Sequence, residues 1–559
     1  MAHEEQDLSF SLLQWDRIRE SGALDPDLTL EAESVLDRVE RTVGDYAHSY
    51  QTLLQPKAEF LGKSFHADPW TIRLFSEEVM RGGPLFALSV LSQRLRRLLR
   101  EKANLSPWQP ISRGGGQGRV KVMDSLDPVQ GRRFDPPVII VSDRMRGDED
   151  LPEGVLAVLT SGSVDVVSHV AIRARNQGVL LATCYDAETF ERFRSWEGRF
   201  MDVRIDSSGE VRVEPAQESR SNSPGNREPA RPVDMDFTEP PDAPYALTAE
   251  AFEEGLVGGK SLHLKQLRGR LPGWIHVPAS VALPFGTFKK VLAAEANRKT
   301  REHYERLLAR VQDEPSVLHE LRETVMELEE PEELGVALRE VAEKAGFRLP
   351  ENAETVWERI KSVWASKWNE RAYWNRKARG IPHRNLLMAV LIQEMVPASY
   401  AYIIHTVHPF SGNKEEVYAE VVPGLGETLA GNYPGRALSC TYHKGSGHIR
   451  LLTYPSKSIG LYGKGLIFRS DSNAEDLAGY AGAGLYSSFP LNPPQEIHLN
   501  YTEEALVQDK AFRREFLSQV GKLGLLIEEA MGSPQDIEGA FLGQAYYVVQ
   551  TRPQVGLNA

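Results

Sequence analysis

The chain reads as an α/β multidomain protein, α+β overall, on three observations. It has 559 residues, more than one hydrophobic core commonly serves, so several compact units are expected. Apolar residues recur every three to four positions up to about residue 104, and from Val138 short β-like runs alternate with helical pieces. A stretch dense in Pro, Ser, Asn and charge, Pro215–Pro244, then sets that small α/β unit apart from everything after it.

Composition narrows the function classes. With 41% hydrophobic and 26% charged residues, the chain has the balance of a soluble, folded protein. Its formal charge of −13 argues against a nucleic-acid or polyphosphate binder, while a neutral polymer remains compatible and a local basic pocket stays open. Two cysteines far apart, Cys184 and Cys440, do not make a secreted disulfide framework. No apolar run approaches the roughly 20 residues that span a bilayer. The start, MAHEEQDLSF, is acidic and lacks both a signal core and the Arg/Ser-rich character of a transit peptide. A soluble, cytoplasmic protein is the default expectation, with a plastid setting if the numbering begins inside a longer parent.

Taken in order, residues 1–105 form a helical scaffold segment. LTLEAESVLDRVERTVGDYAHSYQTLL and PLFALSVLSQRLRRLLREKA both carry helical apolar stripes, with Leu91, Leu95, Leu98 and Leu99 as packing positions. Arg94, Arg96, Arg97 and Arg100 read as the solvated face of the same helix. Residues 106–137, which include RGGGQGR, read as a mobile or hairpin connection. Residues 138–214 form the small α/β domain, with VIIVSD, VLAVLT, VLLAT and FMDVRID as strands.

Inside that domain, Val164–Val167 ends a strand or turn, Ser168 is placed to cap a helix, and Gly178 is placed to end it in the left-handed conformation. His169 therefore opens a helix, where amide groups and the positive dipole end stabilise an anion, and Arg173 lies one turn further on. An imidazole held this way suits transient phosphorylation; a capped surface histidine is the plainer alternative. Residues 215–244 form a solvated tether, which would give a carrier histidine the freedom to visit two sites.

Residues 245–559 form the second large unit. Gly258, Gly259 and Lys260 allow close backbone approach and offer a point charge to phosphate, although GGK alone equally describes a surface turn. Residues 296–350 read as a solvated helical insertion. Trp357, Trp364 and Trp368 share a helical spacing and read as core, and Arg371 reads as a helix surface arginine. LLMAVLIQEMVPASYAYIIHTV has the look of two buried strands joined by a hinge at Gln393, Glu394, Met395 and Val396. Gly424, Gly426 and Glu427 make a Gly-rich turn.

The block GLIFRSDSNAEDLAGYAGAGLYSSFP then brings Arg469, Ser470, Ser472, Asn473, Glu475 and Asp476 ahead of Gly479, Gly482 and Gly484. An arginine fork can hold phosphate while glycines let the backbone close over it. Two last strands place Asp536 and Glu538 on one face, and Gln550 and Arg552 on one face of the partner. Oxygen ligands from Glu538 and Gln550 suit Mg²⁺, with Arg552 positioned to stabilise a transferring phosphoryl group. An edge hairpin with outward charges is the alternative.

The run DVVSHVAIRARN followed by LLATCYD closely resembles the phosphohistidine segment of the α-glucan, water dikinases, which phosphorylate starch-like polysaccharides, and the likeness extends from about Trp70 to Pro553. It implies that the small domain is a swivelling phosphohistidine domain and that residues 245–559 are an ATP-grasp-like domain shared with pyruvate phosphate dikinases. His169, with Arg173 beside it, would be catalytic. Lys260, Arg371, Arg469 and Arg552 would meet the ATP phosphates, Gln393, Glu394, Met395 and Val396 the adenine, and Glu427 would belong to a GLGE-type loop. Glu538, Gln550 and Asp536 would hold Mg²⁺.

The implied reaction converts ATP, glucan and water to AMP, phosphoglucan and phosphate, the β-phosphoryl group passing through His169, with C6 of glucose preferred. The plant enzymes commonly have a cysteine where this chain has Leu180, so no redox switch is expected. Relatives of pyruvate phosphate dikinase or phosphoenolpyruvate synthase with another acceptor are the nearest rival, but they carry a C-terminal barrel, and this chain ends just after Arg552. The arginine block also follows the hinge here, an order that favours the glucan branch. A catalytically silent glucan-binding regulatory protein is the rival from another class.

Overall fold

The computed structural model describes residues 2–22, 25–102, 107–112, 114–145, 149–162, 164, 168–205, 211–216, 243–312, 314–378, 380–409, 411–431, 433–475 and 485–554. Its first four helices are α1 (Ala2–Glu20), α2 (Pro26–Ser64), α3 (Pro69–Arg81) and α4 (Pro84–Lys102). Asp25 starts α2 by accepting the Leu28 amide at 2.7 Å, with Pro26 in the first turn. Ile18, Val35, Leu36, Val39, Val43 and Leu99 build the core between them.

Two expectations for α4 change. Leu99 is buried and Leu95 packs beside it, whereas Leu91 and Leu98 are exposed. Arg96 and Arg100 are not on a solvated face. They turn inward because α2 presents Glu33, Asp37 and Glu40 along one side, and buried carboxylates require partners. Arg94 is exposed, and the Arg97 side chain lies outside the described ones.

The next unit contains β1 (Trp108–Pro110), β2 (Gly115–Met123), β3 (Arg133–Ser142), β4 (Glu153–Thr160), α5 (His169–Gln177), β5 (Leu180–Cys184), α6 (Ala187–Arg194), β6 (Phe200–Ile205) and β7 (Val211–Pro215). They make one seven-stranded sheet in the order β1-β5-β4-β3-β2-β6-β7, parallel from β2 to β5 and antiparallel at both ends. Residues 106–137, expected to connect two domains, instead supply β1, β2 and the start of β3. The glycine run is strand backbone: Gly115 has φ +120°, and a Cβ there would overlap the Val203 carbonyl of β6.

Alternation along β3 and β4 splits their side chains between two cores. Ile139, Val141, Ala157 and Leu159 face α6 and Trp108, while Val138, Ile140, Val155 and Val158 face α5. The tether expected over 215–244 lies outside the described residues between 217 and 242.

The last unit is built from β8 (Leu247–Thr248), α7 (Gly259–Leu267), β9 (Ile275–His276), β10 (Ser280–Leu283), α8 (Thr287–Ala293), α9 (Arg298–Arg310), α10 (Leu318–Met326), α11 (Glu332–Lys344), α12 (Ala353–Ala365), α13 (Glu370–Ala378), β11 (Met388–Met395), β12 (Tyr400–His405), β13 (Glu416–Pro423), α14 (Glu427–Ala430), β14 (Leu438–His443), β15 (Ile449–Thr453), β16 (Ile459–Tyr462), β17 (Gly465–Ser472), β18 (Phe489–Pro490), β19 (Gln495–His498), α15 (Ala505–Gln508), α16 (Lys510–Met531), β20 (Gln535–Leu542) and β21 (Ala545–Pro553).

One sheet runs β18-β17-β11-β10-β8 and a second runs β15-β14-β13-β12-β20-β21-β9, with β16 and β19 paired separately. The first packs on α9 to α12, whose Tyr304, Leu307, Leu321, Leu334 and Leu338 lie in its core. Residues 296–350 are therefore structural rather than a solvated insertion. Trp357, Trp364 and Trp368 join the same core, Trp368 from a short 3-10 turn after α12. The second sheet is covered by α16. The hairpin of β20 and β21 is no edge, since β12 and β9 flank it. The protein is thus α/β and multidomain, and among the described residues no helix is long and apolar enough to cross a membrane.

Candidate active site

The strand pair β11 and β12 belongs to different sheets, so the short link between them is where the two sheets part. The cleft there holds about 550 Å³. Lys260, Arg371, Gln393, Glu394, Met395, Val396, Glu427, Arg469, Glu538, Gln550 and Arg552 all line it. Residues separated by almost three hundred positions in sequence are thereby brought to one wall or the other. Arg173 and Asp536 do not line it.

Lys260 is fixed by the start of α7. Asp471 accepts the amides of Gly258 and Lys260, each at 3.0 Å, so one carboxylate caps the helix. A Cβ at position 258 would overlap that carboxylate, which is why glycine stands there. The Lys260 ammonium donates to Glu475 Oε1 and to the Ser470 carbonyl, both at 2.6 Å. Glu475 is held in turn by Ser470 Oγ at 3.1 Å and the Ser472 amide at 3.0 Å. Asp476, Gly479, Gly482 and Gly484 lie outside the described residues.

Across the cleft, register aligns Glu538 with Gln550 and Asp536 with Arg552 on β20 and β21. Arg469 reaches over from β17 and donates from Nη2 to Gln550 Oε1 at 2.6 Å and Glu538 Oε2 at 3.1 Å. Two oxygen donors thus converge on one cationic point, the donor chemistry that Mg²⁺ prefers, with nucleotide oxygens and waters to complete its shell. Among the described residues, no three His, Cys, Asp or Glu side chains form a metal cage of their own. Glu538 and Gln550 fit a nucleotide-borne Mg²⁺, which asks for only a few protein ligands.

Asp536, the third expected ligand, is committed elsewhere. Its Oδ2 accepts Nε and Nη2 of Arg552 at 2.9 and 2.7 Å, and His405 lies 3.9 Å from Oδ1. Burial pushes the Asp536 carboxyl up, but Arg552 and His405 outweigh it and hold the group below the ordinary carboxylate range. At Glu427 the balance is opposite: burial, then the neighbouring Glu538 charge, raises its pKa against the pull of Arg469.

The helix of His169 is set by local chemistry. Ser168 Oγ accepts the Ala171 amide at 3.4 Å, and Gly178 closes the helix at φ 59°. His169 is the first residue of α5; its side chain lies outside the described ones. Arg173 is buried against its own unit, donating to the Glu149 carbonyl at 2.6 Å and meeting Asp150 at 3.1 Å. It braces the connection between β3 and β4 instead of reaching into the cleft. Through Val170, Ala171 and Ala174, α5 shares a core with Ala401, Ile403, Tyr418 and Val422 of β12 and β13. Ala401 and Ile403 also line the cleft, so the helix seats on the strands that form its wall.

Sequence reading missed Asp471 and the task of Glu475. The only signal was the acidic spacing in RSDSNAED, which acquires meaning once α7 is known to start against β17. Cys184 and Cys440 are free buried thiols in different units, both pushed up to about 12, by burial first in each case.

Residues 107–222 match the phosphohistidine-like domain of α-glucan water dikinase, and residues 347–434 match the AMP/ATP-binding domain of pyruvate phosphate dikinase. The chain is similar to the chloroplastic α-glucan water dikinase of Citrus reticulata, 42% identical over 99% of this chain and 38% of the relative. It is likewise similar to α-glucan water dikinase 1 of Arabidopsis thaliana, also chloroplastic, at 42% over 94% of this chain and 38% of the relative. With α-glucan water dikinase 2 of the same plant it shares 38% over 98% of this chain and 44% of the relative. The chain therefore spans well under half the length of these curated relatives.

Proposed function

Over nearly its whole length this chain is a homologue of the α-glucan water dikinases, and from that premise we propose that it phosphorylates an α-glucan from ATP through phosphorylated His169. The observation that carries the reading is the seating of α5 on β12 and β13, beside a cleft where Lys260, Arg469, Arg552, Glu538 and Gln550 converge. ATP lies in that cleft with its adenine towards Gln393–Val396 and its phosphates towards Lys260, Arg371, Arg469 and Arg552. Glu538 and Gln550 would hold Mg²⁺, which would supply charge neutralisation to the nucleotide. Asp536 acts on Arg552, holding its guanidinium in place.

In the first step a ring nitrogen of His169 attacks the β-phosphorus, the bond to the α-phosphate bridging oxygen breaks, and AMP leaves. The γ-phosphoryl group goes to water as orthophosphate. In the second step a glucosyl hydroxyl, C6 preferred, displaces the imidazole from phosphorus and loses its proton. Phosphoryl transfer of this kind needs positioning and charge stabilisation more than covalent chemistry, which accounts for Lys260, Arg371, Arg469 and Arg552 in the lining of the cleft. The names of two relatives make the plastid the compartment to test first, against the cytoplasmic default.

The test is incubation with Mg²⁺ and ATP labelled at the β or the γ position. Acid-labile, base-stable label is expected on the chain from the β position, and none on His169→Ala. Label from neither position on a chain that binds ATP overturns the reading.

A further inference from the structure

The helical segment, the carrier unit and the nucleotide unit meet at one buried cluster that the chemistry above does not use. Glu33 of α2 accepts Nη1 and Nη2 of Arg436, which precedes β14, at 3.4 and 3.3 Å, and Asp37 lies 3.7 Å from the same guanidinium. Asp37 also accepts Arg96 at 2.9 Å, Arg41 at 2.9 Å and Ser456 Oγ at 2.6 Å, while Arg100 pairs with Glu33. Glu33, Asp37, Arg96 and Arg436 are all buried. From the carrier unit an aromatic ring enters this cluster. It belongs to Tyr185, the residue after β5, and lies beneath the Cζ of Arg436 at 4.2 Å, Arg100 at 4.5 Å and Arg96 at 5.8 Å.

We propose that Tyr185 is a positioning residue, a releasable latch that holds the carrier unit against the nucleotide unit, and that the helical segment serves to present the arginines it grips. The proposal rests on the two-step transfer above, in which His169 must both reach the cleft and leave it. A salt bridge across that boundary would strand a buried charge each time the carrier departed. The aromatic contact does not. When Tyr185 withdraws, the arginines keep their pairing with Glu33 and Asp37, and the tyrosine hydroxyl keeps Gln109 of its own unit. The negative face of the ring gives attraction while docked and leaves no orphan when undocked. Near α5 the shared core is aliphatic, through residues such as Ala401 and Ile403, and beside it Arg175 of α5 is buried facing Asp536 and Glu420.

The test separates the two half-reactions in the full chain. Tyr185→Leu is expected to slow labelling of His169 from β-labelled ATP about tenfold, the loss expected from removing close guanidinium–ring contacts. ATP affinity and the rate at which already phosphorylated chain labels glucan are expected to stay at wild-type values. Tyr185→Phe keeps the ring and is expected to label normally, a rescue that a role in the hydroxyl bond would not give. Arg100→Met, outside both the carrier and the nucleotide unit, is expected to slow the same half-reaction. Wild-type labelling by Y185L or by R100M, or a Y185F as slow as Y185L, overturns the latch. Absence of β-label on the wild-type chain itself overturns the underlying reading instead.

Discussion

At the scale of single residues, Lys260 is the most exposed to test. Its ammonium is already held by Glu475 and Ser470 at the cleft, so its position does not depend on nucleotide. Lys260→Ala is expected to reduce β-phosphoryl labelling of His169 by about 10²–10³, the loss typical of one preorganised electrostatic group. Rapid-quench labelling checks it, and a change below threefold contradicts the assignment. Histidines give a second prediction. His383, His405 and His408 are each lowered to about 4, by burial first in every case. Their folded pKa lies below the unfolded value of about 6.5, so the unfolded chain binds more protons between the two. Stability is therefore full above pH 6.5 and is lost as pH falls towards 4. Urea midpoints across that window are expected to decline, and a flat profile contradicts neutral burial. Of these residues, Lys260 was placed at the cleft from GGK and its resemblance, but the histidines were not singled out, because nothing local in IPHRN or HTVHPFSG announces their burial.

At the scale of elements, legibility followed the range of the interaction. Ser168 and Gly178 bounded α5 correctly because a cap and a left-handed stop act within one turn. Arg173 was placed by spacing alone, and the loop that captures it, at Glu149 and Asp150, could not be foreseen. RGGGQGR looked like a connection because glycine usually marks one; here it lets β2 approach β6. Likewise α9 to α11 are charged outside yet carry Tyr304, Leu307, Leu321 and Leu338 inward, a pattern diluted by their surface composition. The start of α7 offers a direct check. Gly258→Ala pushes a methyl group into Asp471, so a stability loss of about 1–3 kcal/mol is expected, with weaker ATP binding because Lys260 moves with the helix. An unchanged urea midpoint contradicts that close approach.

At the scale of the whole molecule, the assembly of the units was not readable from the sequence. Sequence separated a helical segment, a carrier and a nucleotide unit by period and composition, and those signals are local. The shared core of α5 with β12 and β13, and the ionic junction at Arg436, join positions hundreds of residues apart. Both bear on one central claim, that a phosphoryl group travels from the cleft to a polysaccharide by way of His169. The measurement that tests it most directly starts from chain labelled at His169 by β-labelled ATP, freed of nucleotide, and then given solubilised α-glucan. The account predicts that label leaves the protein and appears on the glucan as a stable phosphate ester, recovered after hydrolysis as glucose 6-phosphate. Label that stays on His169, or that is released only as orthophosphate whether or not glucan is present, contradicts it.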